Sequence, residues 1–203
     1  VLRRRFHGRE LVRIHAHRHG DGVERPDRRV LLVHEVGHQV GVGERGVDMI
    51  APTHGDRGTG AIDNSAEDVA RTVLELPDTV TRVDIVGHSS GGLIALRSLD
   101  DERVRQRVST LVGLGAAWRG TDHRAWYRPD WLVGHILGQS FTELEDVGEP
   151  VVPRGVDIVS LVSDADSVVP ASSARLGRVV EISGVPHTQL PGCTTEVLRA
   201  LGL

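Results

Sequence analysis

The chain has 203 residues, 39% hydrophobic and 26% charged, which suits one soluble globular domain with a sizeable core and excludes a disordered polymer. A net charge of −4 argues against a nucleic-acid binder, which would carry a basic face, and the 24 basic residues are all arginine, a bias of composition rather than of function. Cys193 is the only cysteine, so no internal disulfide can form, and no apolar run approaches the ~20 residues that span a bilayer.

The start, Val1-Leu2-Arg3-Arg4-Arg5, lacks the apolar core of a signal peptide. The expectation is a soluble protein, cytoplasmic ahead of secreted, although a chain that begins at valine is also compatible with a removed leader. There is no repeat, no low-complexity tract and no linker.

In chain order, Leu2–Phe6 and Leu11–His17 read as strands paired across a turn at Gly8. Val30–Val33 is a continuous apolar run, the pattern of a strand buried on both faces. Val47–Ala51 is a weaker strand closed by Pro52. Ser65, with Asp68 three residues on, reads as a helix N-cap, and Val69, Val73, Leu74 and Leu76 supply an apolar face up to Pro77. Val83–Val86 is a strand followed directly by a helix over Leu93–Leu99, and Val108–Leu114 is another strand. Trp118 to Pro153 is irregular, with helical pieces around Leu132–Leu137 and Phe141–Leu144. Val156–Val162 and Val179–Ile182 are strands, and Thr194–Leu201 closes the chain as a helix. Strands alternating with helices predict an α/β fold, a mostly parallel, doubly wound sheet with helices on both faces.

The most informative local pattern is Val83-Asp-Ile-Val-Gly-His-Ser-Ser-Gly-Gly92. It contains Gly87-x-Ser89-x-Gly91 between a predicted strand and a predicted helix, which is the setting a nucleophile elbow needs. The turn is sharp, so the residues two positions either side of the serine must be small. The helix that follows aims its N-terminal amides and positive dipole end at developing negative charge.

A serine nucleophile needs a base, and the base an orienting acid; where the serine sits on a strand–turn–helix elbow of this kind the chain order is serine, acid, histidine. Three histidines follow Ser89: His123, His135 and His187. Only His187 lies beyond the later strands, in a loop at the same sheet edge as the elbow. The acid should follow the penultimate strand, where Ser163-Asp164-Ala-Asp166-Ser-Val-Val-Pro170 offers two aspartates, and on position alone either Asp164 or Asp166 could reach His187.

These pieces resemble the α/β-hydrolase superfamily, and within it compact bacterial lipases and esterases. Gly87-His88-Ser89-Ser90-Gly91-Gly92 is similar to their Gly-His-Ser-x-Gly-Gly elbow. Asp166-x-x-Val169-Pro170 resembles their acid loop, which ranks Asp166 above Asp164. Val30-Leu-Leu-Val-His34 resembles the strand that runs into their His-Gly oxyanion loop, and Leu114-Gly115 to Gly120-Thr121 loosely resembles the segment after their sixth strand. The resemblance implies a single domain over residues 1–203 that hydrolyses a small-molecule carboxylic ester or lipid without cofactor or metal. It implies Ser89, Asp166 and His187 as the catalytic set, with the backbone amides of Val36 and Ser90 as the oxyanion hole. Two departures stand out: Glu35 occupies the position where the family has glycine, and Ala117 stands near a usual proline. Trp118, Trp126, Tyr127, Trp131 and Phe141 are five of the chain's six aromatics. They suggest a small lid or acyl-binding wall at about 118–153, with plain core packing as the competing account.

Two rival functions remain at this level. Val33-His34-Glu35-Val36-Gly37-His38 contains His-Glu-x-x-His, the zinc metallopeptidase motif, which requires both histidines on one helix with Glu35 as base. Val30–Val33 is rich in β-branched residues, follows a charged turn and has no cap, which opposes a helix there. A degenerate α/β-hydrolase that binds without catalysis is the other rival, motivated by Glu35 and Ala117. His15-x-His17-x-His19 could hold a metal on one strand face but reads first as an exposed edge.

Overall fold

The computed structural model describes residues 2–6, 9–14, 28–34, 48–52, 62–120 and 149–203. Among them are strands β1 (Leu2–Phe6), β2 (Arg9–Ile14), β3 (Arg28–His34), β4 (Asp48–Pro52), β5 (Val80–His88), β6 (Val108–Leu114), β7 (Asp157–Ser163) and β8 (Arg178–Ile182). The helices are α1 (Ile62–Leu74), α2 (Ser90–Ser98), α3 (Glu102–Arg107) and α4 (Thr194–Leu201), with a 3₁₀ turn over His187–Gly192 before the last.

The strands form one sheet in the order β1-β2-β4-β3-β5-β6-β7-β8. β1 and β2 are an antiparallel hairpin with Leu2 opposite Arg13 and Phe6 opposite Arg9, and β2 runs antiparallel to β4. From β4 to β8 every pairing is parallel. The mostly parallel, doubly wound sheet expected from the sequence is present.

Alternation along the strands divides two cores. Leu32, Val83, Ile85, Leu111 and Ile158 pack with α1, α2 and α3 on one face. Leu31, Val86, Val112, Val159 and Leu161 pack against Val197, Ala200 and Leu201 of α4 on the other. Burial on both sides explains why Val30–Leu32 reads as an unbroken apolar run. A charged group interrupts the second face: Asp84 is fully buried and ion-paired with Arg29, whose Nη2 also donates to the Leu201 carbonyl at 2.6 Å. That guanidinium caps the carbonyl end of α4, where a cation suits the helix dipole.

Helix α1 begins one turn before the expected cap. Ser65 is inside the helix and buried, because the apolar face starts at Ile62 and continues through Ala66, Val69 and Val73. Helix α3 has a single buried residue, Val104, and is started by Asp101, whose side chain accepts from the Arg103 amide. Six residues with one apolar anchor leave no readable period, which is why the pattern does not announce it. The expected strand residues 15–17, Gly8, and the helical pieces at 132–137 and 141–144 lie outside the described residues.

Candidate active site

The strand order reverses at β3: the chain places β4 on one side of it and β5 on the other. In open α/β sheets ligands bind outside the carboxyl ends of the strands at such a point. His34, the last residue of β3, pairs with Gly87 of β5 at this edge, so the loop that leaves β3 starts beside the elbow. Glu35, Val36 and His38 themselves lie outside the described residues. His34 is extended backbone in a parallel strand, not the helical position the metallopeptidase motif requires.

β5 ends at His88 and α2 begins at Ser90, leaving Ser89 alone at the corner. Its φ of 55° makes it the only non-glycine residue with positive φ among the described residues. That conformation is sterically costly, and surrounding bonds over-determine it. The Ser89 amide donates to the Leu114 carbonyl at 3.1 Å, and the Ser89 carbonyl accepts from Gly92 and Ala117 at 3.2 and 3.3 Å. The flanking glycines are required by space. A Cβ on Gly87 would lie 2.6 Å from the Gly91 carbonyl carbon, and one on Gly92 would lie 2.4 Å from Ala116 Cβ. Ala117 also gains a reason: a proline there has no N–H to give the Ser89 carbonyl.

The acid and base come from the loops after β7 and β8. His187 Nδ1 lies 2.8 Å from Asp166 Oδ2, and both side chains are buried. The other oxygen, Oδ1, accepts from the Val168 and Val169 amides at 2.8 and 2.9 Å. Burial acts to raise the Asp166 pKa, but the His187 hydrogen bond and the Val169 and Val168 amides outweigh it, so the carboxyl is held below its ordinary value. An ionised Asp166 accepts only, so Nδ1 of His187 carries a hydrogen and donates it, which makes Nε2 the lone-pair nitrogen of the neutral imidazole. That Nε2 is buried and hydrogen-bonded to no described residue.

Asp164 does different work. Its Oδ1 accepts from the Gly184 amide at 2.7 Å. Beside it, Ser163 Oγ donates to the Val185 carbonyl at 2.6 Å and accepts from the Ala165 amide at 3.2 Å. Together the two residues tie the acid loop to the base loop, a role that sequence reading did not assign.

Three further residues shape the site in ways that the sequence did not assign. Gly115, with φ of 50°, sits where a Cβ would be 2.6 Å from Asp166 Oδ2 and 3.1 Å from His187 Nδ1. It follows Leu114, which bonds the Ser89 amide, so the Asp166–His187 pair and the elbow meet at the end of β6. Leu190, fully buried, packs in the second core beneath the histidine turn. His88 touches His187 directly.

Trp118, expected as part of an acyl wall, is fully buried and donates from Nε1 to Ser160 Oγ at 2.9 Å. It belongs to the first core, as the packing account held. Trp126, Tyr127, Trp131 and Phe141 lie outside the described residues. A cleft of about 170 Å³ bordered by Leu93, Leu96, Trp118, Val151 and Pro153 touches none of Ser89, Asp166 and His187, and is not the candidate site.

This is the α/β-hydrolase fold. Among solved structures, the lipase BlEst2 of Bacillus licheniformis in its mature form superposes with a TM-score of 0.70 at 15% identity, covering 94% of this chain and 97% of that one. Est1E from Butyrivibrio proteoclasticus gives 0.67 at 16% identity, covering 100% and 99%. Est816, an N-acyl homoserine lactone degrading enzyme, gives 0.57 at 16% identity with 99% of both chains covered. No protein-family model matches the sequence, and a comparison with curated proteins finds no match. No helix among the described residues is long and apolar enough to cross a membrane.

Proposed function

We propose that this chain is a serine hydrolase that cleaves carboxylic esters of small molecules or lipids through an acyl-enzyme. The observation that carries the reading is the buried Asp166–His187 pair, whose Nε2 is left with a lone pair and no partner among the described residues. A buried, unsatisfied nitrogen has a desolvation cost, and a general base is a physical reason to bear it. The strained elbow at Ser89, sharing the Leu114–Gly115 corner, supplies the nucleophile.

In this mechanism His187 Nε2 takes the Ser89 hydroxyl proton as Oγ attacks the ester carbonyl. Asp166 holds the imidazole in its Nδ1–H tautomer and stabilises the imidazolium that forms. The amides of Ser90, at the start of α2, and of Val36, after β3, receive the oxyanion. The imidazolium returns its proton to the leaving alkoxide. Water, deprotonated by His187, then attacks the acyl-Ser89 ester and releases the acid.

A fluorophosphonate probe tests this directly. Ser89 should take the label, as read by mass spectrometry of the peptide, and a panel of p-nitrophenyl esters should be hydrolysed by the wild type but not by Ser89→Ala. Hydrolysis should also survive a strong chelator. No label on Ser89 would favour a binding protein on this fold, and activity lost to chelation and restored by zinc would favour the metallopeptidase.

A further inference from the structure

We propose that His88, the residue before the nucleophile, is a positioning residue that fixes the backbone of His187 so that Nε2 faces the elbow. The inference rests on the serine-hydrolase reading above. His88 Nε2 lies 3.0 Å from the His187 carbonyl oxygen. A carbonyl only accepts, so Nε2 of His88 must carry a hydrogen and donate it. The two rings stand with centroids 4.5 Å apart, tilted by 37°. His88 thus touches its partner twice, once on the main chain and once on the ring face.

The contact completes a set of ties. The loop after β8 is held at Gly184 by Asp164 and at Val185 by Ser163. His88 adds a third tie at His187 itself, and it is the only one of the three that comes from the elbow strand. It therefore couples the position of the base to that of the nucleophile one residue away. A misplacement near 1 Å in such a pair can cost on the order of 100-fold in rate.

His88 must also stay out of the proton traffic. Among the described residues the ionisable groups acting on it are His187 and Asp166, and its pKa is lowered to about 4 by burial first and by His187 second. It remains neutral while His187 gains and loses a proton. It neither competes for the Ser89 proton nor sets a second cation beside the imidazolium.

The test compares H88F, which keeps a ring but has no N–H, with H88Q, whose amide nitrogen can donate from nearly the same place. On one short ester, H88F should lose about 10- to 100-fold in kcat with KM within about twofold, and H88Q should recover most of the loss. The far-downfield proton resonance of His187 Nδ1–H should persist in H88Q and broaden in H88F. A fully active H88F, or an H88Q as impaired as H88F, would overturn the proposal. Should H88F not fold, nitrogen NMR of the wild-type imidazoles at pH 6 decides: His88 must be neutral with its proton on Nε2, and a protonated ring or the Nδ1–H tautomer overturns the role. Fluorophosphonate labelling of the wild type separates the two ideas. A labelled wild type with an unaffected H88F refutes His88 alone, whereas an unlabelled wild type refutes the hydrolase reading.

Discussion

Asp166 Oδ2 and His187 Nδ1 lie 2.8 Å apart across two loops, and each side chain is only 3% exposed. The carboxylate accepts from three donors: His187, Val168 and Val169. Asp166→Asn keeps the shape but can present N–H to Nδ1, which favours the wrong tautomer. The expected loss in kcat is on the order of 10⁴-fold on a short ester. Asp164→Asn, whose side chain accepts from the Gly184 amide, should stay within about tenfold of the wild type, as a peripheral hydrogen bond is weakened. Equal losses in the two variants would remove Asp166 from its role.

The same pair predicts an acid limb in stability. Because the Asp166 carboxyl is held below its ordinary value, it contributes stability above the unfolded aspartate value of about 3.9 and loses it as pH falls through the lower folded value. The thermal midpoint of the wild type should drop below about pH 4. In Asp166→Asn the drop should be shallower, measured by circular dichroism at constant ionic strength.

Gly115→Ala combines a backbone penalty with a collision. The site has φ of 50°, and the new Cβ would lie 2.6 Å from Asp166 Oδ2. A stability loss on the order of 1–3 kcal/mol is expected from the strain, read by denaturant unfolding. Turnover should fall as well, because the only way to relieve the contact is to move Asp166 or Gly115. Unchanged kcat with unchanged stability would show that the end of β6 yields freely.

The pair at Arg29 and Asp84 should matter for folding and not for chemistry. Asp84 is fully buried, and Arg29 is 17% exposed and also caps α4 through the Leu201 carbonyl. Asp84→Ala removes the carboxylate with which both Arg29 and, at 3.3 Å, Arg82 pair, and should cost about 3–5 kcal/mol. Ester turnover per folded molecule should be retained, as measured by active-site titration below the unfolding temperature.

Glu35 is one residue beyond His34, which pairs with Gly87 at the elbow strand. If the Val36 amide forms part of the oxyanion hole, a carboxylate next to it in sequence would oppose the charge that the hole stabilises. Glu35→Gly should raise kcat on a short ester several-fold, with a ceiling on the order of 100-fold, comparable to one oxyanion donor. A lower kcat in a folded variant would show that Glu35 supports the site.

The elbow was legible in the sequence because it is a local object. Strand, turn, serine and helix fall within Val83–Gly92, and the small residues at 87, 91 and 92 report close packing that the structure displays at Gly87 and Gly92. The parallel sheet was legible for a related reason, since burial on two faces writes an unbroken apolar run at Val30–Leu32. The choice between Asp164 and Asp166 rested on a family resemblance, not on periodicity. Only the tertiary structure separates them, sending one carboxylate to the Gly184 amide and the other to His187, because side-chain direction in a turn is set by contacts twenty or more positions away. The same holds for Gly115, Ser163 and His88. Each acts on a residue distant in sequence, and no pattern of neighbours records what a chain will meet once its loops are brought together at one edge of a sheet.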